Sequence, residues 1–213
     1  MIKRDKFDRN QLVLVVLLVL YIVGFFGIVS PVYKNFFLSL SPVILSLSLI
    51  AVLISIERPI KRTVLFIVFS GSIGFIAELI GVNTSILFGT YQYETNLGLK
   101  IGGAPLIIAA NWSVLSIGAA HLSFFITKIK GLRVLLAATL MLLFDIIMEP
   151  VAIKSHYWFW EGGVIPIYNY VCWFVISLLI QFVYVQFIKE APNKVFMVLF
   201  CIMLLFFILL NLF

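Results

Sequence analysis

Three carboxylic side chains stand inside apolar stretches of this chain, where an ionisable group is costly and marks a functional site by default: Glu78, Asp145 and Glu149. Asp145 and Glu149 are four residues apart, a spacing that puts both on one face of a helix, and Pro150 follows them. Asn111, Trp112, Asn169 and Trp173 lie in neighbouring apolar stretches, and Tyr91, Tyr93, Trp158 and Trp160 in the segments that join them. Carboxyls that share a low-dielectric site tend to share a proton and can hold it at neutral pH. Presented to a lipophilic alkene, that proton adds to the less substituted carbon and leaves a tertiary cation, which Trp and Tyr faces stabilise by cation–π attraction. Water can capture the cation while a second carboxylate takes the excess proton and Asn side chains position the water. Hydrogen bonds to the conjugate carboxylate must keep such an acid strong enough to act.

The elements that hold these groups are membrane helices. A mean hydropathy of +1.19 with 63% hydrophobic and 11% charged residues exceeds what a soluble core of 213 residues can bury. Seven apolar runs, near 11–30, 36–56, 63–82, 105–127, 133–152, 168–188 and 195–213, are long enough to cross a bilayer at roughly 20 residues each. The expectation is an all-α polytopic membrane protein, a single transmembrane domain over 1–213 with seven transmembrane helices. The first run follows a basic start but lacks a small-x-small cleavage site, so it reads as an uncleaved helix rather than a signal peptide.

Lys and Arg are distributed 12 to 3 between the two sets of connections, which places the N-terminus in the cytoplasm and the C-terminus outside. The cytoplasmic set includes Lys3, Arg4, Lys6, Arg58 and Lys189. The two long connections, Asn83 to Ala104 and Ile153 to Ile167, then face outward. Topology and anionic lipid account for the net charge of +6, with no need of nucleic acid.

On this frame Glu78, Asp145 and Glu149 come to one level in the outer half of the membrane, roughly 18 to 24 Å along their helices. Asn111 and Trp112, Asn169 and Trp173 join them there, beneath loops carrying Tyr91, Tyr93, Trp158 and Trp160. Pro150 is expected to end or kink its helix, and Pro105 to open the next one in its first turn. His121 sits nearer the opposite side and reads as a hydrogen-bonded packing residue. The first two helices and the last, uniformly apolar one are expected to pack or face lipid. Cys172 and Cys201 fall in different helices, so neither a disulfide nor a metal site is expected.

These residues resemble the membrane carotenoid-biosynthesis proteins that include bisanhydrobacterioruberin hydratase and the γ-carotene and lycopene 1,2-hydratases. The resemblance rests on Glu78 and Gly81; Phe88-Gly89 with Tyr91 and Tyr93; Gly103 and Pro105; Trp112; Asp145 with Glu149-Pro150; Trp158 and Trp160; and Pro166, Asn169 and Trp173. It covers about half the chain. Glu149, Cys172 and Ala104 depart from the family's pattern, which has Asp, Gly and Val there. The resemblance implies addition of water to the terminal C1=C2 bond of an acyclic carotenoid in the cytoplasmic (inner) membrane, with no cofactor and no metal. Asp145 or Glu149 would be the acid and Glu78 a base or proton-sharing partner, with the amides and aromatics binding substrate. A substrate of the lycopene or γ-carotene type is implied, with other carotenoid-biosynthesis enzymes as partners. The same protonation also serves a carotenoid cyclase, and acids in membrane helices also serve a proton-coupled transporter.

Overall fold

The computed structural model describes residues 8–57, 60–188 and 192–213. Lys3, Arg4, Lys6, Arg58 and Lys189, which contribute to the expected orientation, lie outside them. The described residues form an all-α molecule of eight helices: α1 (Arg9–Val29), α2 (Lys34–Ser39), α3 (Ser41–Ile54), α4 (Ile60–Thr84), α5 (Ile107–Ile126), α6 (Lys130–Lys154), α7 (Ile167–Phe187) and α8 (Lys194–Leu210). Five of them, α1, α4, α5, α6 and α7, are long and apolar enough to cross a membrane, while α3 and α8 are shorter apolar helices. The second expected span is therefore not one helix. Pro42 stands in the first turn of α3 and has no backbone N–H to donate to Leu38 O, so the helical bonding is interrupted at Leu40 and α2 is left as a separate six-residue helix.

Three other expectations are corrected. Of the end or kink expected at Pro150, the end does not occur, and α6 runs on to Lys154. A proline removes one backbone donor, but buried Val151 and Ala152 hold the last turn, and Ser155 N–H closes it on Val151 O at 2.8 Å. Pro105 lies before α5, in a strand β3 (Ala104–Pro105) paired with β2 (Lys100–Ile101). The two residues between them, Gly102 and Gly103, both have positive φ, the geometry of a two-residue hairpin turn. Finally, α8 is not merely a lipid-facing helix. Val195, Phe196, Leu199, Phe200 and Met203 are buried, and Gly118 of α5 lets Phe200 approach so closely that an added Cβ would stand 2.7 Å from it. A uniformly apolar sequence shows no periodicity from which a buried face could be read.

The two long connections form one structure. Strand β1 (Tyr91–Tyr93) pairs antiparallel with β4 (Trp158–Trp160), in the register Tyr91 with Trp160 and Tyr93 with Trp158. The ladder is extended by Glu94 N–H to Tyr157 O and Glu161 N–H to Thr90 O. In each strand the first and third aromatic side chains are buried and the middle residue is exposed, as the two-residue repeat of a strand requires. This small sheet caps one end of the bundle. At the other end His121 packs as expected: its Nε2 lies 2.9 Å from Tyr184 Oη, and its Nδ1 accepts the Asn193 backbone N–H.

Candidate active site

The central pair of helices is held close by glycine. A Cβ at Gly71 of α4 would stand 2.5 Å from Ser113 Oγ, and one at Gly74 only 2.1 Å from the indole of Trp112. Trp112 therefore lies flat over α4, and its Nε1–H reaches Glu78 Oε1 at 3.3 Å. Its ring stacks on Trp173 of α7 with centroids 4.0 Å apart and planes 13° from parallel.

Each acid has its own set of donors. Glu78 Oε2 accepts Tyr91 Oη–H at 2.5 Å and Tyr93 Oη–H at 2.8 Å, both delivered by β1. Burial first, and then the Glu78 carboxyl, push both phenols up from their ordinary range, so they remain protonated donors. Glu149 Oε2 accepts the indole N–H groups of Trp158 at 3.1 Å and Trp160 at 2.9 Å, both delivered by β4. Asn169, in the first turn of α7, bridges the remaining pair: its Nδ2 lies 3.0 Å from Asp145 Oδ2 and 3.3 Å from Glu149 Oε1. Asp145 Oδ1 is buried and has no partner among the described residues. Tyr91 packs on Trp160 and Tyr93 on Trp158 across the sheet.

All eleven residues singled out from the sequence line one cavity of about 360 Å³. Asn111 lines it too, without bonding to any of the three acids, so Asn169 is the amide that meets two of them, Asp145 and Glu149. Sequence reasoning missed the rest of the wall. Tyr21 and Gly24 of α1, Phe37 of α2, Ser41 and Ile44 of α3, Tyr157, and Met203, Phe206 and Phe207 of α8 also line the cavity. Tyr21 Oη lies 3.0 Å from Ser48 Oγ and Ser41 Oγ 2.7 Å from Tyr157 Oη, bonds that tie α1 to α3 and α3 to the sheet. Apart from these hydroxyls, the missed wall is apolar, which is why nothing marked it.

The described ion pair, His156 Nδ1 to Glu94 Oε2 at 3.4 Å, lies away from these acids, so neutral donors offset their burial. Among the described residues no group of three His, Cys, Asp or Glu side chains converges as metal ligands would. Buried Cys172 accepts the Phe88 backbone N–H at 3.4 Å, which holds the turn into β1 where Phe88 has positive φ. The arrangement is that of an apolar, aromatic-walled cavity with a cluster of three carboxyls, one of which keeps an oxygen free.

No curated protein and no solved structure matches the chain. A family model described as carotenoid biosynthesis protein matches residues 38–213, a span that includes all three acids, both aromatic strands and every helix from α3 onward, and the chain belongs to that family.

Proposed function

We propose that this protein is a carotenoid 1,2-hydratase, which adds water across the terminal C1=C2 bond of an acyclic end group of the lycopene or γ-carotene type. The observation that carries this reading is Asp145, whose Oδ1 has no partner among the described residues, in the lining of a largely apolar and aromatic cavity. A volume of about 360 Å³ suits one end of a long polyene and lies within the range of small-ligand sites. Asp145 is the acid, because a proton on Oδ1 displaces no donor. It protonates the less substituted alkene carbon, and the tertiary cation forms against the Trp and Tyr faces. Water then bonds to the tertiary carbon and gives its excess proton to Glu149, which Asn169 joins to Asp145. Return of that proton to Asp145 closes the cycle with no redox change. Glu78 holds Tyr91, Tyr93 and Trp112 in place around the end group. The working unit is one transmembrane domain of the cytoplasmic membrane, with its N-terminus on the cytoplasmic side.

The test is co-expression in a bacterium that makes lycopene or γ-carotene, with mass analysis of the extracted pigments. The expected result is a pigment heavier by one water that is absent with Asp145→Asn. A new pigment of unchanged mass would instead identify a cyclase, and no new pigment from either substrate would sink both readings.

A further inference from the structure

Behind the Trp112–Trp173 pair the helices carry a second polar layer. Ser116 follows Trp112 by four residues in α5, Ser177 follows Trp173 by four in α7, and Met141 precedes Asp145 by four in α6. The contacts of Asn169 with Asp145 and of Gln181 with Met141 show α6 and α7 antiparallel, so all three steps lead away from the sheet, by about 6 Å each. Gln181, one turn beyond Ser177, ties the layer together: its Nε2 donates to Ser116 O at 2.9 Å and lies 3.3 Å from Met141 Sδ. Ser116 Oγ, Ser177 Oγ and Gln181 Oε1 are fully buried and have no partner among the described residues, like Asp145 Oδ1 above them.

Leaving a buried polar atom unpaired is costly, and a cluster of such atoms is where proteins hold ordered water. We infer that Ser116, Ser177 and Gln181 form a water-binding site that reaches Asp145 Oδ1 from behind the tryptophan pair and supplies the nucleophile for hydration. A polyene end filling the cavity excludes water from that side, yet the cation must be captured before it loses a proton. Water held behind the pair meets this need without sharing the cavity with the polyene. This role rests on the hydratase reading; the water site itself does not.

Two measurements on the full-length protein in nanodiscs separate them. Met141 has no exposed surface, so in hydroxyl-radical footprinting its sulfur is oxidised only if bound water forms radicals beside it. Oxidation of Met141 in the wild type, reduced in Gln181→Leu, is expected; an unlabelled Met141 overturns the site. In D2O with a lycopene-type substrate, the cation either takes up water or loses a proton to return deuterated alkene. Ser177→Ala and Gln181→Leu should raise the ratio of deuterated alkene to hydrated product by roughly three- to tenfold. An unchanged ratio overturns the supply role, because a purely structural defect slows both exits from the cation equally. Ser177→Ala and Ser116→Ala, which each remove one hydroxyl, decide the matter if Gln181→Leu does not fold. A wild type that makes no hydrated product sinks the hydratase reading and leaves the footprinting result to decide the water site.

Discussion

Glu149 shows what one methylene does at this site. Its Oε2 takes both β4 indole donors while Oε1 remains within reach of Asn169, so one side chain joins the sheet to the first turn of α7. Glu149→Asp would withdraw the carboxyl by about 1.5 Å, which takes bonds of 2.9 and 3.1 Å out of hydrogen-bonding range. Two buried indole N–H groups would then be unpaired, at about 1–3 kcal/mol each. The expected outcome is a lower melting temperature together with pigment conversion reduced by at least roughly tenfold. Unchanged conversion would show that an aspartate serves equally at this position and that the longer reach of Glu149 is not what the reaction needs. Glu78 takes three donors, so Glu78→Gln would point an amide N–H at donors instead of at an acceptor. It should weaken the site more than Tyr93→Phe, which removes only one donor, and comparing the two yields checks this. The acids were legible in the sequence because a carboxyl in an apolar run has no bland explanation. Their donors were legible only as aromatic residues of the right loops, since neither which acid each would meet nor the role of Asn169 as a bridge is encoded in local spacing.

At the level of elements, the site depends on two devices that differ in legibility. The pairing of β1 with β4 lies in the motifs Tyr-x-Tyr and Trp-x-Trp, whose alternation is a strand signal, though three residues are too few to distinguish it from an aromatic belt at a membrane surface. The glycine contact between α4 and α5 is not legible in the sequence as the seat of a particular side chain. Gly74 is that seat, and a methyl group there would meet Trp112 carbons at 2.1 to 2.5 Å. The Trp112 ring would have to leave its stack on Trp173 and its bond to Glu78. Gly74→Ala is therefore expected to destabilise the protein by about 1–3 kcal/mol, the usual cost of overpacking. It should also abolish the near-ultraviolet circular dichroism of the stacked indoles. Retention of that signal would mean that α4 moves instead of Trp112.

Across the whole molecule, the cavity is built from helices of very different visibility. The carboxyl-bearing helices announce themselves, whereas α1 and α8 are apolar on every side, and no pattern says which of their faces closes the site. α1 also lies outside the span matched by the family, which begins at residue 38. Yet Val23 and Gly24 both line the cavity, and Val23 is 51% exposed on the molecule's outer surface. The wall here is a single helix thick, held by Tyr21 through its bond to Ser48 and its edge contact with Phe206. An added Cβ at Gly24 would touch only Phe206, at an ordinary 3.8 Å, so the backbone tolerates a side chain that projects into the cavity. Gly24→Trp should therefore leave the melting temperature within the small range of substitutions that break no contact, about 0.5 kcal/mol in stability. Conversion of a long polyene should fall by roughly tenfold or more as the bulky ring fills the space for its end group. The Gly24→Ala variant should convert normally, which separates loss of space from loss of the glycine. If Gly24→Trp converts pigment as well as wild type, the substrate end does not occupy the part of the cavity beside α1, and the reacting carbon must be reached along the wall formed by α3 and α8.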